Sequence, residues 1–465
     1  MRRSFFILAG ALAAVATYAT EQEAQACGGC FAPPENNTVV TDHRMILSIS
    51  PQQTTLYDQI RYQGSPSSFA WVLPINGAAT VGLSADVVFS TLDQQTAIQV
   101  VAPPINCPAP PSDCGRGGFG AAPSNDSTSA DAGVGGVTVT KQETVGPYET
   151  VQLKVDATTP DALNTWLNDH GYAIPPDVQT IINQYVAEKY QFLAMKLVPG
   201  ATVQAMRPVR ITTLGASPVL PLRMVTAGTG ATVGVSLWVI GDGRWEPTNF
   251  PTFHIETSEL VWDWTKGASN FKDLRAEKAA PLNGRGWELE TSTSTTKQQV
   301  ANVIQYSGQT YLPDGGTQQA YDPVTDSNGN VTKTAKQVEQ EDMDTLFAGI
   351  ASNARVTRFR SDLAHASLQE DLNLGATADQ SEVDRIRNVT REANQPQCPV
   401  YDGCNQVGIA PRDDARAQTD ANNGNGESFA CSTGGHNADG VTLFGAAGFF
   451  GIALLRSRKK RAVEQ

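Results

Sequence analysis

An α+β fold with largely antiparallel sheets and helical insertions is what this sequence predicts, and three observations carry it. Short stretches rich in β-branched and aromatic residues, bounded by Gly, Pro and Asn, recur at both ends of the chain's middle. Helical periodicity is confined to a few segments between them. Strands and helices do not alternate as they would around a parallel sheet.

The first element is a leader. Arg2 and Arg3 precede an apolar run over 5–19, and Ala24 and Ala26 supply the small residues a signal peptidase accepts. Residues 1–26 therefore read as a signal peptide cleaved after Ala26, with signal peptidase as a partner. Lipidation of Cys27 is the alternative, but its box wants Leu where Ala24 stands, and Glu21 and Glu23 interrupt the run. An exported chain meets an oxidising compartment, where close cysteines pair as structural disulfides. The seven cysteines fall as Cys27/Cys30, Cys107/Cys114 and Cys398/Cys404, leaving Cys431 over. The spacing Cys27-Gly-Gly-Cys30 is also a redox spacing, but a helix N-terminus that would lower the thiol pKa does not follow it.

Strands are expected over 39–50 and 54–64 around Pro51-Gln-Gln, then at "SFAWVLPING", 68–77. Residues 84–95 form a helix with Val87, Val88 and Leu92 as its stripe. A hairpin follows around Gly146-Pro147. The clearest helix is "TPDALNTWLNDHG", with Thr159 as cap, Pro160 at its first turn, Leu163, Trp166 and Leu167 inward, and Gly171 as its stop. A second helix over 176–190 turns Ile181, Ile182 and Tyr185 inward. Strands return at 192–198, 209–213, 220–225, 233–240 and 252–261, helices at 296–306 and 336–350, and a last core strand at 355–363. "TDSNGNVTK" reads as a hairpin turn at Asn328-Gly329, since a calcium loop would need its oxygen ligands in a different step.

Two stretches lack apolar content. Residues 107–136 read as a low-complexity surface excursion and 377–440 as a helix end followed by a flexible stalk. Beyond Cys431 stand a polar spacer, an apolar run over 441–455 and a basic tail over 456–465. At ~1.5 Å per residue that run reaches about 22 Å, short for a bilayer core of ~30 Å. The basic tail holds the C-terminus on the cytoplasmic side. The expected domains are thus 1–26, an exported ectodomain over 27–376, the stalk, the membrane or sorting helix and the tail.

This tail, with Cys431, an apolar helix and an Arg/Lys run, resembles the C-terminal sorting tags of myxobacterial surface proteins. The resemblance implies processing at Cys431 by a sorting protease and delivery to the surface; an uncleaved single-span anchor is the alternative. Separately, "ACGGCF", "FAWVLPI", "LPLRMV" and "RVTRFRSDL" followed by "EDLNLG" resemble the bacterial family named domain of unknown function 2330, over about 27–375. That resemblance implies exported proteins with early cysteines and brings no catalytic residues with it.

With 34 basic and 47 acidic residues and a net charge of −13, the chain offers no polycationic face, which excludes nucleic acid as an expected partner. Candidate ligand-face residues are His254 and Glu256, placed by alternation on one side of the expected strand at 252–261, and Trp262 and Trp264 beyond it. A third metal ligand is not nominated by spacing, and an aromatic pair fills a core more often than it stacks on a sugar. No nucleophile elbow, His-Glu-x-x-His helix or Walker loop occurs. The sequence therefore points to a cell-envelope or surface protein, membrane-anchored through its C-terminus, acting by binding or as a structural element without catalysis, cofactor or metal. The alternative is a secreted enzyme, either a thiol–disulfide oxidoreductase at Cys27/Cys30 or a hydrolase without a recognised motif.

Overall fold

The computed structural model describes residues 30–31, 39–63, 70–110, 138–155, 161–170, 172, 176–198, 206–226, 231–307, 310–311, 317–318, 320–325 and 330–424. The expected signal peptide, most of the 107–136 excursion, Cys431, the apolar run and the basic tail lie outside them.

Two sheets hold thirteen strands: β1 (Cys30–Phe31), β2 (Val39–Ile49), β3 (Gln53–Gln63), β4 (Ala70–Ile75), β5 (Ala79–Leu83), β6 (Thr138–Val145), β7 (Tyr148–Lys154), β8 (Gln191–Leu197), β9 (Val209–Leu214), β10 (Thr232–Gly241), β11 (Thr252–Phe253), β12 (Trp287–Thr295) and β13 (Ala354–Ala364). The smaller sheet has the order β1-β4-β8-β7-β6 and is antiparallel throughout. The larger has the order β11-β12-β13-β10-β2-β3-β9-β5, with parallel pairs only at β10–β2 and β11–β12. Seven α-helices accompany them among the described residues: α1 (Asp86–Thr96), α2 (Asp161–Asp169), α3 (Pro176–Ala187), α4 (Phe271–Ala279), α5 (Lys297–Ser307), α6 (Ala335–Leu346) and α7 (Arg412–Asn422).

Side-chain alternation sorts these strands into layers. Met45, Leu47 and Leu56 of the large sheet share one apolar cluster with Trp71, Leu73, Leu193 and Met195 of the small one, so the two sheets pack face to face. The opposite face of the small sheet, with Val72, Val151 and Phe192, is covered by Leu163, Trp166 and Leu167 of α2 and Ile182 and Tyr185 of α3. Ile46, Tyr57, Trp238 and Val356 on the outer face of the large sheet meet Val88, Phe89 and Leu92 of α1, Val300 and Ile304 of α5 and Met343 and Leu346 of α6. The order is helices, sheet, sheet, helices. Central strands are buried on both faces, which is why "MILSI" and "SLWVI" are near-continuous apolar runs without clean alternation.

The α+β class and mainly antiparallel pairing stand as expected, and so do the hairpin of β6 and β7 and the inward stripes of α1, α2 and α3. Gly146 turns that hairpin at φ +57°, where a Cβ would also strike the Leu83 side chain.

Three expectations are corrected. Residues 220–225 are a 3₁₀ turn (Leu222–Thr226) after a two-residue strand (Val219–Leu220), because Pro221 has no amide to give a ladder. The expected strand over 252–261 breaks after Phe253: Glu256 and Glu259 close a reciprocal capping box around the 3₁₀ turn Thr257–Glu259. The expected stalk is folded as far as residue 424. Strand Ile386–Asn388 pairs with Gln99–Val101, Arg391–Glu392 pairs with Val261–Asp263, and a hairpin of Gln397–Asp402 and Asn405–Pro411 packs under α7. Polar bonds supplement a small apolar cluster of Cys398, Val400 and Ala415 there. Thr419 Oγ1 accepts from Tyr401 N, Asn423 Oδ1 accepts from Gly403 N, and Arg412 meets Glu392 through two N–H groups at 3.1 and 3.0 Å.

Candidate functional site

Outer-face residues of the large sheet fall into rows set by register. Arg44 of β2 lies opposite Ser236 of β10, which lies opposite Arg360 of β13, which lies opposite Glu288 of β12. One step along, Trp238 faces Arg358. An open cleft of about 460 Å³ lies here, lined by Arg44, Ser90, Asp93, Gln94, Ser236, Arg358 and Arg360.

Two of its three arginines are fixed. The guanidinium groups of Arg44 and Arg358 sit 5.2 and 5.1 Å from the Trp238 ring centroid. Asp93 of α1 bridges them, 3.1 Å from Arg44 and 2.6 Å from Arg358. Arg44 also donates to Gln59, and Arg358 is in ion-pair contact with Glu290 at 2.5 Å. Trp238 is held in turn by donating its Nε1–H to Thr96 Oγ1 at 2.8 Å. Arg360 differs: its side chain is exposed, and it makes no hydrogen bond or ion pair among the described residues.

Below the cleft, Glu288 is fully buried. Its Oε2 accepts from Arg275 Nε at 2.6 Å, and Arg275 continues to Asp362 at 2.8 Å. Burial, then the neighbouring Glu290, push the Glu288 carboxyl up to about 7, against the pull of Arg275 and Arg360. Because Glu288 is enclosed and gripped by Arg275, it is not a group that can reach a substrate in the cleft.

A second polar cluster sits farther along the same face. Asp342 of α6 is fully buried and accepts from Ser84 Oγ at 2.5 Å, Tyr321 OH at 2.9 Å and Arg210 at 2.8 Å. This cluster clamps α6 to β5 and β9.

The residues singled out from sequence lie elsewhere. His254 Nε2 is 3.6 Å from Glu256 Oε1, so the two do approach, but in a coil segment: His254 Nδ1 is 3.1 Å from the Leu289 carbonyl, and Glu256 caps the following turn. Trp262 packs on the small cluster of Ile255, Leu260 and Val389, and Trp264 meets it edge-on at 5.9 Å, which leaves no flat platform. Among the described residues no group of three or more His, Cys, Asp or Glu is placed to hold a metal ion.

The cysteine pairing is corrected. Cys107 bonds Cys398, 291 positions away, instead of Cys114, and Cys398 does not bond Cys404. Short loops in sequence were a poor guide because the hairpin that carries Cys398 folds back beside residue 107. Cys404 is itself disulfide-bonded. Cys30 lies in β1, opposite Trp71. Ala26, Cys27, Cys114 and Cys431 fall outside the described residues. The cleft was missed from sequence, although Arg358 and Arg360 on either side of Phe359 carried a period-2 signal for two cations on one strand face.

The family described as "Uncharacterized protein conserved in bacteria (DUF2330)" matches residues 21–312, more than half of the chain. It ends before the "RVTRFRSDL" stretch that now forms β13. No curated protein matches. Among solved structures, the crystal structure of baculovirus P35 aligns at 10% identity over 73% of this chain and 98% of that one, with a TM-score of 0.28 that carries no argument about the fold.

Proposed function

We propose, for a chain that belongs to the DUF2330 family of bacterial proteins, an exported protein of the cell envelope or surface that works by binding rather than by catalysis. The observation that carries the binding reading is the state of the cleft. Its lining carboxylate, Asp93, is already engaged by Arg44 and Arg358, and the neighbouring Glu290 and Glu288 by Arg358 and Arg275, while Arg360 is exposed and makes no hydrogen bond or ion pair among the described residues. A site built for acid–base chemistry keeps a carboxyl within reach of its substrate; this one keeps a guanidinium.

Export rests on separate support. A disulfide joining segments 291 positions apart belongs to an oxidising compartment. In this reading residues 1–26 are the signal peptide, and 441–455 with the basic tail hold the chain at the membrane until a protease acts at Cys431. Among the described residues no helix is long and apolar enough to cross a membrane, and the proposed anchor lies outside them.

Cell fractionation, thiol alkylation before and after reduction, and mass spectrometry of both mature ends test the reading together. Expected are an envelope-associated protein beginning at Cys27, with Cys107 and Cys398 alkylated only after reduction, and a C-terminus lacking residues 456–465. Cytoplasmic recovery with both thiols free would overturn export. A retained basic tail would replace sorting by a plain membrane anchor.

A further inference from the structure

We infer that the cleft between α1 and strands β2, β10 and β13 binds an oxyanion headgroup, carboxylate or phosphate, on a small hydroxylated ligand, with Arg360 as its principal contact. The inference rests on the binding reading above and assigns that binding a site and a ligand class.

Charge supplies the first reason. Asp93 and Glu290 already offset Arg44 and Arg358, so the cation the cleft presents to a ligand is Arg360, exposed and without an ion pair among the described residues. An unpaired guanidinium at the mouth of a cleft attracts anions, on a chain whose net charge is otherwise −13. Organisation supplies the second. Arg44 and Arg358 are immobilised by Asp93, Gln59, Glu290 and the Trp238 ring, so they form a fixed positive wall whose ordering cost is met in folding. Arg360 rises from the same sheet face two residues from Arg358, with its planar donor fork unengaged. That fork matches the paired oxygens of a carboxylate or phosphate.

Hydroxyl and amide groups supply the third. Ser236 lies in the row between Arg44 and Arg360, and Ser90 and Gln94 stand on the exposed side of α1. These are uncharged partners suited to ligand hydroxyls. A volume of about 460 Å³ lies within the ~300–1,000 Å³ range of small-molecule sites.

Titration calorimetry on the purified full chain tests this with glucuronate, glucose 6-phosphate and glucose as probes. Expected are binding of one or both anions, no binding of glucose, and an affinity that falls as salt rises. Arg360→Gln should weaken anion binding at least tenfold, and Arg360→Lys should fall between, keeping charge but losing the fork. Because Arg360 is exposed, both variants should melt with the wild type, and that is to be checked first. Absence of heat with both anions, or equal affinity in Arg360→Gln, overturns the inference.

Co-sedimentation of the same proteins with isolated cell envelopes separates the two readings. If Arg360→Gln sediments as fully as the wild type, envelope binding stands and the cleft is not its site. If the wild type fails to sediment, the binding function itself fails, whatever the calorimetry returns.

Discussion

Glu288 shows how much one buried group can bias the molecule. Its ordinary value is 4.5 and its value in the fold about 7, so between these the folded chain holds a proton that the unfolded chain has released. Stability at this site therefore falls as pH rises from about 4.5, and the loss is complete above 7. At about 1.4 kcal/mol for each pH unit between the two values, the deficit reaches roughly 3 kcal/mol by pH 8. Glu288→Gln removes the titration, so melting curves from pH 4.5 to 8 are expected to show the wild type losing ground to the variant across that window. Parallel curves would contradict the assignment. Asp342 makes the opposite case. Burial holds its carboxyl above the usual range, yet Arg210, Ser84 and Tyr321 all depend on it. Asp342→Ala leaves the buried Arg210 with Glu341 alone and removes the acceptor of Ser84 and Tyr321, and it is expected to cost about 3–5 kcal/mol in urea denaturation; a loss under 1 kcal/mol would mean that Glu341 suffices for Arg210.

Elements that bury an apolar stripe were readable, and elements held by polar bonds were not. Leu163, Trp166 and Leu167 of α2 stand at helical spacing and are all buried, as the sequence predicts. In α7 the buried positions are only Ala415 and Thr419, so composition suggested a stalk where a disulfide-tied hairpin supports a helix. Strand β12 was missed for a related reason, since its outer face carries Glu288 and Glu290, which a sequence reading assigns to solvent. The same distinction predicts mutational cost. Ile182→Ala, at the centre of the α3 contact with the small sheet, should cost about 2–5 kcal/mol. Leu214→Ala, at a position 89% exposed at the end of β9, should stay within about 0.5 kcal/mol. Chemical denaturation of both variants checks the pair, and equal costs would argue against the layer assignment.

At the scale of the whole molecule, the Cys107–Cys398 bridge ties the segment after α1 to the last hairpin. Closing a loop of 291 positions removes much unfolded-chain entropy, about 6 kcal/mol in the chain-entropy account. Replacing both cysteines by serine is expected to lower stability by that order and to free α7 first, seen as early loss of hydrogen-exchange protection over 397–422. Cys404 is bonded, and neither Cys107 nor Cys398 is its partner. In the sequence Cys114 follows Cys107 by seven positions and Cys404 follows Cys398 by six, which makes Cys114 the partner expected for Cys404. Non-reducing peptide mapping is expected to return Cys107–Cys398 and Cys114–Cys404, and a Cys398–Cys404 peptide would refute the pairing.

By itself the sequence determined the α+β class, the first hairpin, the stripes of α1 to α3 and the expectation of export, because each rests on local periodicity or on a short contiguous signal. Only the tertiary structure decided the four-layer order, the disulfide partner and the cleft. Arg44, Ser236 and Arg360 are separated by 192 and 124 positions and become neighbours through strand register alone. Register depends on which strands pair, and pairing is settled by burial summed over both sheets, which no local stretch of this chain encodes.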